Sequence, residues 1–253
     1  MTRAGIDIQL FQQLYTSKKE AKMISTLDHL SEGRIEIGMG AGWKAIEYKA
    51  YGLEFPSAKV RIDQLDEGLQ VLRALWSEEP KPSFSGKYYS LENALCFPKP
   101  FQKPYPRLWI GAPSGGKHML KITAKHGDGI NLAWTVPPDK CEWVFNRLDQ
   151  QCKDMERDSS EILRSVGYWV RMFADEEEME KYMKEEAKKQ NLPFKEFKKQ
   201  VQNLLMGTKD QIIEKLLEYQ KIGVPHFIFM FPYPEELKYL QLFNNEILPA
   251  IKA

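Results

Sequence analysis

Three glycines at alternate positions, Gly38, Gly40 and Gly42, close the apolar run Ile35 to Met39 and lead into a helical pattern. Glycine has no Cβ, so a turn of this kind takes positive φ and lets another molecule's atoms approach the main chain closely. Phosphates and flat rings are the groups that use such a clearing. A second stretch, "WIGAPSGGKHMLKITAKHGDG" from Trp109 to Gly129, ends a strand at Gly111, passes Ser114 and Gly115, and starts a helix at Gly116 and Lys117. Backbone N–H groups at that helix start, aided by the Lys117 ammonium and the Ser114 hydroxyl, form an anion site for phosphate or carboxylate. A plain tight loop is the competing reading. The spacing is not GxxxxGK[ST], which excludes an ATP-binding P-loop.

Gly40-Ala41-Gly42-Trp43-Lys44-Ala45 can be fitted to the dinucleotide fingerprint GxGxxA. That fingerprint needs a second strand ending in Asp or Glu roughly 20 residues on, to hold a ribose. The corresponding stretch is Phe55-Pro56 followed by a helical pattern, which argues against a nicotinamide site. Glycines that merely permit a tight turn remain an alternative. The four histidines are scattered. His29 is expected to bond locally, His118 lies beside the anion loop, His126 ends a helix, and His226 reads as a satisfied core group. With no serine in a nucleophile elbow and no self-contained acid–base set, the catalytic residues stay unassigned and the chemistry is expected of a cofactor. Cys96, Cys141 and Cys152 form no CxxC or Cys/His pattern, so they read as buried thiols of a reducing compartment, with no metal.

These loops need elements to hold them. Periodicity predicts strands near residues 5, 35, 107, 129, 165 and 226, each followed by a helical pattern. The first strand spans Gly5 to Phe11, and a helix from about Ser17 to Leu30 follows with apolar Ala21, Ile24 and Leu27 on one face. The last strand, His226 to Phe231, is continuously apolar, as where both faces are covered. Asp175 with Glu178, and Thr208 with Gln211, are helix-capping pairs. Two segments interrupt the alternation. Residues 80–106, rich in proline and aromatics, read as an excursion with a hairpin at Gly86, and residues 185–207 as a second insertion. The pattern gives a parallel sheet wrapped by helices in a single domain over residues 1–253: a barrel of the (β/α)8 type, which takes ~250 residues without excursions, and hence about two units short.

Composition sets the outer limits. Lys plus Arg (36) nearly balances Asp plus Glu (35), which argues against a nucleic-acid partner. No window approaches the ~20 apolar residues of a membrane span, and the N-terminus lacks the apolar core of a signal peptide, so the expected location is cytoplasmic.

Several blocks in order, "TLDHLSEGRIEIGMGAGWKAIEYKAYGLEFP", "RIDQLDEGLQVLRALW", "FSGKYYSL", "PKPFQKPYPRLWIGAPSGG" and "AKHGDGINLAW", then "MGTKDQIIEKLLEYQKIGVPHFIFMF", resemble the bacterial luciferase-like monooxygenase family. The flavour is that of its F420-dependent oxidoreductase branch. The resemblance implies a luciferase-like barrel lacking its first two β/α units, with coenzyme F420, or alternatively FMN, as cofactor and a small organic molecule as substrate. It implies cofactor contacts at Gly40, Ala41, Gly42 and Trp43, a basic phosphate contact at Arg61 with Lys59 nearby, and a phosphate loop at Gly111, Ser114, Gly115, Gly116 and Lys117. It also implies a bulge with a non-proline cis peptide within Ile8 to Phe11. An incomplete barrel exposes a strand edge, so a homodimer or association through that edge is expected. The alternative is a non-catalytic truncated member that binds a phosphate-bearing ligand or serves as a partner subunit; a nicotinamide dehydrogenase comes third.

Overall fold

The computed structural model describes residues 6–11 and 17–252. The chain divides into two compact units, one of Met1–Ile130 with Leu148–Ile162, the other of Asn131–Arg147 with Leu163–Ala253. The first holds β1 (Ile6–Phe11), α1 (Ser17–Leu30), β2 (Ile35–Gly40), α2 (Ala45–Ala50), α3 (Ala58–Trp76), β3 (Phe84–Ser85), β4 (Ser90–Leu91), β5 (Leu108–Gly111) and α4 (Lys117–His126). Strand β6 (Gly129–Leu132) and helix α5 (Pro138–Lys153) each cross the division. The second holds β7 (Leu163–Met172), α6 (Glu176–Lys189), α7 (Phe194–Val201), β8 (Leu205–Gly207), α8 (Lys209–Lys221), β9 (His226–Met230), α9 (Glu236–Leu242), a π-helical segment Phe243–Ile247 and α10 (Leu248–Lys252).

In the first unit β1 pairs parallel with β2 from Ile6↔Ile35 to Phe11↔Gly40, and β2 pairs parallel with β5 from Ile37↔Leu108 to Met39↔Ile110. Side chains alternate along a strand. Ile35, Ile37 and Met39 therefore face one way, into a core with Leu65, Leu69 and Leu72 of α3 and Leu108 and Ile110 of β5. Glu36, Gly38 and Gly40 face the other way. Helix α1 buries Ala21 and Ile24 as expected, but Leu27 is exposed. Its neighbour Asp28 turns inward instead, accepting from the backbone N–H of Gln102 and from Gln102 Nε2, both at 2.8 Å. This contact ties the 80–106 excursion down, and Phe84, Tyr89 and Tyr105 pack on the core.

The hairpin at Gly86 is present as β3 and β4. The Glu67 carboxylate of α3 accepts the N–H groups of Lys87, Tyr88 and Tyr89 at 2.9, 2.7 and 3.2 Å. At the far end of α4, Arg73 donates to the His126 carbonyl at 2.8 Å, and Arg157 donates to those of Ala124 and Gly127 at 2.8 Å. Three C-terminal carbonyls that no helical N–H can reach are thus satisfied.

In the second unit β7 pairs parallel with β9 from Ser165↔His226 to Trp169↔Met230, and with β8 from Val170↔Leu205 to Met172↔Gly207. Strand β8 was not expected: it lies inside the 185–207 segment, and three residues are too few for a period to register. Helix α7 lies there too, burying Phe197 against Met183 and Ala187 of α6. Both expected caps are formed, Asp175 on Glu178 N–H and the reciprocal Thr208–Gln211 box.

Some expectations need correction. Strand β9 is not covered on both faces: Phe227, Phe229 and Phe231 pack towards Tyr219, Tyr239 and Phe243, while His226 is exposed and Ile228 and Met230 are half-buried. Among the described residues the non-proline cis bond joins Ala133 to Trp134, and the one-to-one pairing of β1 leaves no bulge in Ile8 to Phe11. Gly5 lies outside the described residues. All three cysteines are buried free thiols, and among the described residues no helix is long and apolar enough to cross a membrane.

Candidate active site

The two glycine loops follow neighbouring strands of the first unit. Met39 and Ile110 are paired in register, so Gly40 and Gly111 end adjacent parallel strands, and their loops leave from the same edge of the sheet. That edge is where barrel enzymes assemble their sites.

At the first loop Gly40 has nothing within 4 Å of where a Cβ would stand, which leaves a clear space above the strand end. Gly42 has φ +73°, and a Cβ there would overlap Tyr48 Oη. Glycine is therefore required twice over, by backbone conformation and by contact. Tyr48 is buried, its hydroxyl has no hydrogen-bond partner among the described residues, and burial raises its pKa. Arg61, expected at a phosphate, is arranged as a brace. Its Nε donates to the Gly42 carbonyl at 3.3 Å, Nη1 donates to the Pro56 carbonyl, and the guanidinium lies 3.9 Å over the Phe55 ring, which meets Tyr48 edge-on at 4.8 Å. Ala41 is half-buried, and Trp43 is 71 % exposed.

At the second loop Gly115 has φ +63°, and its N–H closes a turn on the Ala112 carbonyl at 3.0 Å. Gly116 is the N-cap of α4 without a side chain to cap it, and the first turn carries no acidic residue. The leading N–H groups of a ten-residue helix are thus left for an anion, and Ser114, Lys117 and His118 are exposed around them. Lys59 donates to Asp63 at 2.8 Å, and that bond, ahead of the charges of Lys59, Lys87 and His118, holds the Asp63 carboxyl below the usual carboxylate range. Gly40, Ala41, Gly42, Trp43, Arg61, Gly111, Ser114, Gly115, Gly116 and Lys117 all belong to the first unit.

The remaining histidines sit elsewhere. His29 bonds not locally but to the Lys99 carbonyl at 2.9 Å. His126 ends α4 as expected and meets Asp66 at 2.7 Å; burial, above all, lowers its pKa to about 4. His226 is exposed at the start of β9 rather than in the core. Sequence reasoning missed Tyr48, which has no motif to mark it, and the Glu36 carboxylate, which holds Arg107 at 2.6 Å and Trp109 Nε1 at 2.5 Å. The alternation Glu36-x-Gly38 put Glu36 on the face away from the core, but its two partners are more than 70 residues distant. No group of metal-ligating side chains occurs among the described residues.

The model of the family described as Luciferase-like monooxygenase matches residues 19–226. The F420-dependent glucose-6-phosphate dehydrogenase of Segniliparus rotundus is 24% identical over 257 residues, covering 92% of this chain and 74% of that protein. An F420-dependent secondary alcohol dehydrogenase, solved with an F420-acetone adduct, superposes with TM-score 0.78 at 21% identity, over 94% of this chain and 76% of that one. A riboflavin lyase, solved with modified FMN and riboflavin, gives TM-score 0.79 at 15% identity, over 100% of this chain and 71% of that one. The two structural likenesses carry the fold class, α/β of the luciferase-like barrel type.

Proposed function

Because the chain belongs to the luciferase-like monooxygenase family, a family of oxidoreductases, we propose that it depends on coenzyme F420 and exchanges a hydride between that coenzyme and a small organic substrate. One observation carries the reading: an open space over Gly40 and an uncapped, acid-free helix start after Gly116 follow adjacent paired strands. The first suits a flat ring and the second a phosphate. When bound, the deazaflavin would supply the hydride chemistry at its ring, which no side chain of this site can do.

The chain's own part is placement. N–H groups of the α4 first turn, with Ser114 and Lys117, would hold the phosphate. Arg61 fixes the Gly42 carbonyl and so the shape of the turn beneath the ring. FMN is the alternative coenzyme, kept because one structural relative carries a modified FMN. Association of copies through an exposed strand edge belongs to the same reading.

Titration of the purified chain into F420, followed by the coenzyme's own fluorescence, tests the proposal, with FMN run in parallel. Saturable binding of F420 is expected. Binding of FMN alone would reassign the coenzyme, and binding of neither would overturn the reading.

A further inference from the structure

The second unit carries a feature that the coenzyme loops do not use. Pleating puts Ser165, Gly167 and Trp169 of β7 on one face, and the register with β9 adds His226, Ile228 and Met230 to it. Asn131 of β6 joins the same face, its Nδ2 donating to Ser165 Oγ at 2.6 Å. Above that pair, Trp134 follows the end of β6 and lies across Gly167, where a Cβ would come within 2.8 Å of the indole. The neighbouring Thr135 N–H donates to the Gly167 carbonyl at 2.8 Å, which fixes the segment to β7. Trp169 stands beside Trp134 with ring centroids 5.9 Å apart and planes tilted by 48°.

Burial makes this corner unusual. Tyr168 and Val170 are buried, whereas Trp169 between them is 47 % exposed and Trp134 is half-buried. Two indoles at an angle form a floor and a wall. Asn131, Ser165, Ile228 and Met230 share the face with His226, which lies at the start of β9, four residues before Met230; Met230, in register with Trp169, is a flexible apolar filler beside it. Trp134 follows the C-terminal end of β6 and Trp169 lies in the C-terminal half of β7, the end at which barrel enzymes take their substrates.

We propose that Trp134 and Trp169 form the substrate-selecting surface of this enzyme, and that they select a molecule bearing a flat conjugated ring. A ring stacked on Trp134 meets Trp169 at the same 48° tilt, so it gains a stacked contact with one indole and an inclined contact with the other instead of a face-to-face sandwich. An acyclic anion gains neither contact. Gly167 belongs to the same device, because any larger residue would lift Trp134 from its seat.

This assignment rests on the oxidoreductase reading, and its test can fail independently of it. The probe is 4-fluorobenzyl alcohol, followed by ¹⁹F NMR on titration with the full-length protein, with and without F420. An upfield ring-current shift is expected, and Trp169→Leu should weaken probe binding by about tenfold, the order of one aromatic contact. Trp169→Phe should recover most of the affinity, and F420 affinity should be the same in all three proteins. Because Trp169 is exposed, its replacement leaves the core intact; circular dichroism verifies this. Equal probe affinity in wild type and Trp169→Leu, or displacement of the probe by F420, overturns the assignment. A protein that binds the probe through Trp169 but never binds F420 overturns the coenzyme reading instead.

Discussion

At the level of single residues, Gly116 and Gly42 serve different ends. Gly116 has φ −63° and ψ 135°, a conformation open to any residue, so its lack of a side chain is not a demand of the backbone. Gly116→Asp should cap α4 and raise the melting temperature, yet place a carboxylate where the phosphate is expected. Loss of F420 affinity by about tenfold or more is the expected outcome; unchanged affinity in calorimetry would remove the anion from this loop. Gly42→Ala should cost about 1–3 kcal/mol through positive φ and collision with Tyr48. Tyr48→Phe removes a buried hydroxyl without a described partner and should be neutral or stabilising by about 1 kcal/mol in denaturant melts. Marked destabilisation by Tyr48→Phe would mean that the hydroxyl has a partner.

Two buried titratable groups give stability opposite dependences on pH. Glu20 is buried with neither oxygen paired among the described residues, and burial raises its pKa from 4.5 to about 8. The folded state holds this proton where the unfolded chain has lost it, so the contribution to stability is full below about 4.5 and is lost as pH rises to about 8. His126 is lowered from 6.5 to about 4, chiefly by burial. The unfolded chain takes up that proton first, so stability is full above about 6.5 and falls as pH drops to about 4. Of these two groups, only Glu20 gives a slope between about 6.5 and 8. Glu20→Gln should therefore raise stability at pH 8 and flatten that interval, as read by urea melts at several pH values. A persisting slope would assign it to another group.

At the level of elements, the 80–106 excursion is held by few side chains, which makes its attachment testable. Glu67→Ala would leave three hairpin N–H groups without their acceptor, and should cost about 1–2 kcal/mol and loosen residues 84–91 in hydrogen exchange. Unchanged exchange there would show that the aromatic contacts suffice. The sequence made the longer elements legible because their apolar residues repeat over several turns, as in α3, or because a cap announces them, as at Asp175 and Thr208. It hid β8, where three residues leave no period to read. It misled on Leu27 and on β9, since periodicity shows which residues are apolar but not which tertiary surfaces exist to cover them. Arg61 was expected at a phosphate by likeness alone; that its donors point to the Gly42 and Pro56 carbonyls depends on how the chain folds between residues 42 and 61.

At the level of the whole molecule, the match over residues 19–226 places the chain in the luciferase-like monooxygenase family, and its 36 basic and 35 acidic side chains nearly balance. The chain spans about three quarters of the length of the relatives it matches, such as 74% of the Segniliparus rotundus dehydrogenase. Its two glycine loops were legible from composition and order, because positive φ and an open helix start restrict the choice to glycine or favour it. The brace under the first loop was not, because Tyr48, Phe55 and Arg61 come together only in three dimensions. The most direct test is a crystal structure of the full chain with F420. The coenzyme's phosphate is expected within hydrogen-bonding distance of the Gly116, Lys117 or His118 N–H groups, and its ring over Gly40. Coenzyme density remote from both loops would contradict that expectation.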